Sequence, residues 1–313
     1  MELLRQMNNT ENPKILIKNI LESEILLKFG QEPIEDRNKI KIALEKINSI
    51  LTETIPKSKL LLRGITKSVI KNRLISKLNS NDSLYDGLFL VGDKAKNFLE
   101  KPENIPHPIQ NISSTTPKAS SWIFTKYSEM DIGPIDLNYF KNSKNKRKFN
   151  IILKGNHELF DYYLFGLHTK NSDNLVNFIS TTTSPKVVLH NSTSNKLIIF
   201  LWLPYKYQHY IDFKKLNDFK EIIQKKGLPI LKDSFYPNEM EISFKGFIPP
   251  HIILGVHDID ENALILNPAL LNHQHDWMEN GLNINQVNFE IFIKQTKYKR
   301  FLILTDKLTE INL

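Results

Sequence analysis

The apolar residues of this chain change their period once, and that change constrains the fold more than any other feature. From Ile15 to Leu27, and again from Ile40 to Leu51, leucines and isoleucines recur at roughly helical spacing. The stretch from Lys57 to Leu78 repeats the pattern with more lysine and arginine. Past Ser121 the apolar residues gather into short runs bounded by turn formers. The clearest are Trp122-Ile-Phe-Thr, Asn177-Phe-Ile-Ser-Thr, Lys196-Leu-Ile-Ile-Phe-Leu-Trp, Glu239-Met-Glu-Ile-Ser-Phe and His251-Ile-Ile-Leu-Gly-Val. Such runs predict strands, and helices are expected among them near Glu158–Leu167 and Asp212–Lys226. A Pro/Ser/Thr-rich passage from Glu100 to Ser121 separates the two textures as a linker or long loop. The expected organisation is a helical region over 1–112 and an α+β region over 113–313. The latter includes a C-terminal extension whose strand-like Arg300-Phe-Leu-Ile-Leu-Thr has no assigned place.

Composition narrows the function classes. Of 313 residues, 41% are hydrophobic and 24% charged, the balance of a folded globular chain. No apolar run approaches the ~20 residues of a membrane helix, so no integral membrane association is expected. Met1-Glu-Leu-Leu-Arg-Gln-Met lacks the basic start and apolar stretch of a Sec signal. The absence of cysteine excludes disulfide scaffolds, thiol nucleophiles and thiolate metal sites together. The net charge of +8 comes from scattered lysines, so a solvated surface is expected and no nucleic-acid partner. Its densest run, Lys141-Asn-Ser-Lys-Asn-Lys-Arg-Lys148, reads as an exposed loop, with phosphate or acidic-partner binding the lesser reading. His273, His275 and Asp276, with His257 and Asp258, are too sparse for a supported metal site, and no metal is expected. Gly92 stands alone after its apolar run, and no Walker or dinucleotide-fold glycine motif occurs.

Two segments carry chemistry. Glu239 and Glu241 stand two apart in a strand-like run, which puts both side chains on one face with their Cα atoms about 6.6 Å apart. Carboxylates that close repel, so one is pushed towards holding a proton while the other stays charged. The bland alternative is the polar face of an edge strand. In the other segment, an apolar strand runs into Ser180 and a cluster of hydroxyls before Pro185. A serine there can orient a neighbouring carboxylate, or simply end its strand in a Ser/Thr turn.

Taken in order, Phe-Ile-Ser-Thr-Thr at 178–182, Glu-x-Glu at 239–241 and the following Gly-Phe-Ile-Pro-Pro-His-Ile-Ile-Leu-Gly-Val resemble the mono-ADP-ribosyltransferase toxins of the cholera-toxin type. Lys154-Gly-Asn-His-Glu-Leu-Phe-Asp161 resembles that family's Gly-Asn turn opening a helix ahead of the serine strand. The resemblance covers residues 122–258. It implies an α+β fold with a split mixed β-sheet, and NAD as co-substrate. It also implies transfer of ADP-ribose to a host or partner protein, with arginine the acceptor. By this likeness Glu241 bonds the ribose and stabilises the cationic transition state, Ser180 holds Glu241, and Glu239 helps deprotonate the incoming nucleophile. Phe178, Thr181 and Thr182 line the NAD site with Ser180, and Phe235 or Tyr236 faces the target protein. The family's NAD-gripping arginine has two candidates. Arg63-Gly64 matches the local motif, whereas Lys126 in the Trp122 run matches the spacing but lacks arginine's fork. The resemblance implies a secreted effector delivered into a host cell without a Sec signal, or else a cytoplasmic enzyme. NAD glycohydrolysis and a non-catalytic module that kept the fold are the rival readings. A carboxylate-pair glycosidase stands behind them, because its two acids usually come from separate strands.

Overall fold

The region expected to be helical contributes three strands, β1 (Leu26–Phe29), β2 (Glu32–Pro33) and β3 (Lys59–Thr66). The computed structural model describes residues 24–29, 59–68, 117–133, 135–168, 178–190, 196–203, 210–232, 239–245 and 253–266, with isolated positions between 18 and 45 and at 248. Helical backbone is present at Lys18, Glu22, Asn38, Lys41 and Glu45, where Lys18–Glu22 and Lys41–Glu45 form i,i+4 ion pairs. The helical expectation fails at β1 and β3 because short leucine runs fit either period and the tertiary partner decides. Around β1, Ile25 and Leu27 are buried while Leu26 is exposed, an alternation of period two. In β3, Leu60, Leu61 and Leu62 are all fully buried. A surface helix would turn one of the three towards water and forfeit about 1.5–3 kcal/mol.

The remaining elements are α1 (Pro117–Ser128), α2 (Asn138–Lys141), α3 (Lys144–Leu153), α4 (His157–His168), β4 (Phe178–Thr182), α5 (Pro185–His190), β5 (Lys196–Leu203), β6 (Tyr210–Asp212), α6 (Phe213–Asn217), α7 (Lys220–Lys225), β7 (Glu241–Lys245), β8 (Ile253–Asp258) and β9 (Ala263–Leu266). Helices and a mixed sheet make this an α+β chain. It divides into two compact units of interleaved segments, one of residues 1–92, 181–208 and 248–313, the other of 93–180 and 209–247. The expected boundary at 112/113 lies outside the described residues, as do Gly92, His273, His275, Asp276 and the Arg300 run. Among the described residues no helix is long and apolar enough to cross a membrane.

In the first unit the strand order is β2-β1-β9-β8-β5-β3. All pairings are antiparallel except β1 with β9, which is parallel. β5 is central because its apolar run is continuous: Leu197, Ile198, Phe200 and Leu201 are fully buried, as both faces of an inner strand require. β3 runs antiparallel along all of it, from Lys59 opposite Leu203 to Thr66 opposite Lys196. On its other side Leu62 stands opposite Thr182 of β4. Gly255 in β8 is a steric necessity, since a Cβ there would lie 2.7 Å from the Ile265 carbonyl oxygen of β9.

The second unit is held by aromatic side chains on four helices. Trp122-Ile-Phe-Thr, expected as a strand, lies inside α1. Ala119, Ser120, Ile123, Phe124 and Tyr127 are its buried residues, and their spacing is helical; the tight apolar triplet masked that longer period. Lys141–Lys148, expected as a loop, supplies the end of α2 and the first half of α3. The reason is packing: Phe149 and Leu153, one turn apart, bury one face of α3, and Asn150 Nδ2 donates to Ser121 Oγ of α1 at 2.6 Å. Phe124, Tyr127, Phe140, Phe149 and Tyr163 meet at ring-centroid distances between 4.6 and 6.2 Å, mostly edge to face. The helix expected over Asp212–Lys226 is interrupted. Asp212 caps α6 by accepting from the Lys214 N–H at 3.0 Å, and α7 follows separately.

Candidate active site

Helix α4 is the element that everything else in the site depends on. Its buried face is almost entirely aromatic and aliphatic, from Leu159 to Leu167. Its tyrosines fix it by hydrogen bonds as well. Tyr163 Oη donates to the Pro229 carbonyl at 2.8 Å, the Tyr163 carbonyl accepts from Tyr127 Oη at 2.6 Å, and Tyr162 Oη accepts from the Leu231 N–H. A helix so restrained delivers its last residue, His168, to a fixed place. The imidazole is braced edge-on by Phe178 of β4, with centroids 5.3 Å apart and planes at 87°.

His168 Nε2 lies 2.9 Å from Ser180 Oγ and 3.5 Å from Glu241 Oε1. β4 and β7 are neighbouring strands, which brings Ser180 and Glu241 together from distant parts of the sequence. Ser243, two residues on in β7 and fully buried, donates to Glu241 Oε1 at 2.6 Å. Glu241 itself is nearly buried. Burial alone would raise its pKa, but hydrogen bonds from His168, Ser243 and Ser180, with the His168 charge, outweigh that and hold it below the usual carboxylate range. The cluster therefore keeps one desolvated carboxylate ionised.

Glu239 is the opposite case. Partial burial, then the charge of Glu241, push its pKa up. The expectation that the two glutamates share a strand face is corrected in one respect: β7 begins at Glu241, and Glu239 lies in the bend before it. Met240 between them has φ 45°, in the left-handed region, which breaks the strand's alternation and leaves its own side chain 62% exposed. The electrostatic coupling survives that change of geometry.

No protein-family model, curated protein or solved structure matches this chain.

The other expected site residues divide as follows. Phe178 is buried against His168. Thr181 and Thr182 are buried at the end of β4, where Thr182 Oγ1 accepts from the Ser184 N–H at 2.9 Å and closes the turn. Arg63 lies half-buried in β3, one residue past Leu62, the partner of Thr182 on the serine strand. Lys126 does not lie on a strand. It sits in the last turn of α1 and donates to Glu129 Oε2 at 2.7 Å, an ordinary i,i+3 surface pair. Phe235 and Tyr236 lie outside the described residues. Among those described, no group of three His, Asp or Glu converges as for a metal ion, and His257 is a fully buried core residue.

Two residues of the cluster escaped the sequence reading. Ser243 was within reach of it, since the alternation applied to Glu241 puts residue 243 on the same face. His168 had no local signal. It ends a helix expected to stop at Leu167, and only the packing of α4 brings it to Ser180.

Proposed function

We propose that this chain is an NAD-dependent mono-ADP-ribosyltransferase that modifies a protein side chain, with arginine the acceptor. The observation that carries the reading is the division of labour between the two glutamates: Glu241 held ionised by Ser180, Ser243 and His168, and Glu239 made the more basic carboxylate by partial burial and the charge of Glu241. That is the electrostatic pattern the chemistry requires. As the bond between nicotinamide and ribose C1′ breaks, nicotinamide leaves with the electron pair and positive charge develops on the ribose. A fixed, desolvated carboxylate at Glu241 stabilises that charge far more than a solvated one would. The acceptor nitrogen then bonds to C1′, and the proton it loses passes to Glu239, whose raised pKa suits a group that must take a proton. Ser180, Ser243 and His168 act through Glu241 as positioning residues.

Arg63 is the better candidate for gripping the NAD phosphates. It keeps the Arg-Gly motif of the resemblance with Gly64, and its guanidinium offers the bidentate fork that lysine lacks. Lys126, on a helix with its charge engaged by Glu129, loses the strand placement that recommended it.

The test is incubation of the purified protein with labelled NAD and a host-cell lysate beside Glu241→Ala. A discrete labelled band, lost in the variant, is expected. Free nicotinamide with no labelled band would turn the reading into NAD glycohydrolysis, with water in place of the acceptor. Neither NAD turnover nor NAD binding would overturn it in favour of a non-catalytic module.

A further inference from the structure

The segment from Leu137 to Asn156 contains six lysines and arginines and no acidic residue. Folded as α2 and α3, its cations sort onto one side. Lys144, Arg147, Lys148, Ile151 and the C-cap residue Lys154 are all exposed. At 100° per residue they fall within an arc of about 120°. The opposite face carries Phe149 and Leu153, buried in the aromatic core. Lys141, at the end of α2, is exposed as well. Among the described residues none of these cations has an ion-pair partner.

A second element extends the surface. A Cβ placed on Gly227 would stand 3.2 Å from Lys148 Nζ, so the C-terminal turn of α7 adjoins α3. Lys226 in that turn is exposed, Lys225 is exposed and pairs with Glu221 at 4.0 Å, and Ile222, three and four residues before them, is exposed on the same side. The result is a cationic surface with two isoleucines set into it, Ile151 at 64% and Ile222 at 43% exposure. On the exposed arc of α3 there is no aromatic side chain for a base to stack on, which weighs against single-stranded nucleic acid. Branched aliphatic side chains ringed by lysine and arginine match the headgroup boundary of an anionic bilayer, where the cations meet lipid phosphates and carboxylates and the apolar tips enter the acyl edge.

We propose that the exposed face of α3, with the C-terminal turn of α7, docks this protein peripherally on an anionic lipid membrane. This surface is separate from the glutamate cluster and does not rest on the transferase reading.

The experiment is co-sedimentation of the full chain with vesicles of phosphatidylcholine alone, or of phosphatidylcholine mixed with phosphatidylserine, across a range of salt. Binding to the mixed vesicles alone, weakening as salt rises, is expected. Each cation near such a surface strengthens binding about fivefold, so Lys144→Glu/Arg147→Glu/Lys148→Glu should lose roughly a hundredfold or more. The triple alanine version, which keeps a good helix former at each position, serves if charge reversal unfolds α3. Ile151→Ser with Ile222→Ser should weaken binding to mixed vesicles without changing its salt slope. Equal binding to both vesicle types, no binding to the mixed vesicles at low salt, or unchanged binding by both triple variants would overturn the proposal. So would binding to duplex DNA or polyglutamate in the absence of vesicle binding.

Discussion

His257 allows a quantitative test of how the first unit is held together. It lies inside β8, opposite Ile198 on β5 and Leu264 on β9, and all three side chains are fully buried. Burial pushes the imidazole's pKa from 6.5 down to about 4, against the smaller raising influence of Asn262 and Asp258. The unfolded chain therefore takes up this proton near pH 6.5, whereas the folded chain resists it until about pH 4. Above pH 6.5 the contribution is fully present. It is lost as pH falls from 6.5 towards 4, and below that both states are protonated. At about 1.4 kcal/mol per pH unit, the window of 2.5 units between those two values costs the fold about 3 kcal/mol. That is a large part of a domain stability of about 5–15 kcal/mol. The perturbation is His257→Leu, which keeps an apolar side chain in the site and removes the titration. Urea unfolding followed by circular dichroism at pH 7 and pH 4 should show the native protein losing about 3 kcal/mol more than the variant. Ionisable groups away from His257 are common to both proteins and cancel in the difference. Equal losses in the two proteins would refute the argument.

Three further outcomes follow from contacts already described. A methyl at Gly166 would overlap the Tyr127 hydroxyl and press on Leu231, so Gly166→Ala should cost about 1–3 kcal/mol, read as a lowered Tm; an unchanged Tm would mean that α1 and α4 give way at this contact. Ser180→Ala and Ser243→Ala each remove a donor that lowers the pKa of Glu241, leaving burial to raise it, so on the proposed transferase reading the acid limb of NAD consumption should move to higher pH. An unmoved limb in both variants would disconnect Glu241 from turnover. Arg63→Lys should weaken NAD binding by about ten- to a hundredfold through loss of bidentate contact, while Lys126→Ala should change it less than about twofold; isothermal titration separates these, and the reverse order would restore Lys126 as the anchor.

What the sequence made legible, and what it hid, divides along one physical line. β5 and β8 are legible because an inner strand needs apolar residues on both faces, a need met in β5 by seven in succession from Leu197 to Leu203 and in β8 by Ile253-Leu-Gly-Val. α4 was readable because its buried residues persist over three turns. β3 and α1 depart from the expected element type for one reason: an apolar triplet is too short to define a period, and in each a distant partner decides, β5 for one and the aromatic core for the other. α3 is a helix where a loop is expected because its lysines dominate its composition, whereas Phe149 and Leu153 dominate its energetics. In the candidate site, Ser180 and Glu241 were found and do lie together, but His168 was not, because its contact with Ser180 arises from the docking of a helix against a strand.

That last point bears on how such a site is stabilised. A buried carboxylate is costly unless its charge is answered, and here each answer comes from a different level of organisation. Ser243 comes from the strand's own alternation, Ser180 from the pairing of β4 with β7, and His168 from an aromatic core assembled by α1, α2, α3 and α4. Loss of any one leaves the other two bonds in place, so single substitutions should shift the titration of Glu241 rather than abolish the cluster. Loss of the core's packing removes His168 and loosens β4 together, because Phe178 braces the imidazole from the same strand that carries Ser180. Substitutions at Tyr127 or Tyr163, both within that core, should therefore raise the pKa of Glu241 in the folded protein. A direct carboxylate titration by NMR reads that effect without reference to turnover, and an unchanged Glu241 in Tyr163→Leu would show that the aromatic core does not hold the site.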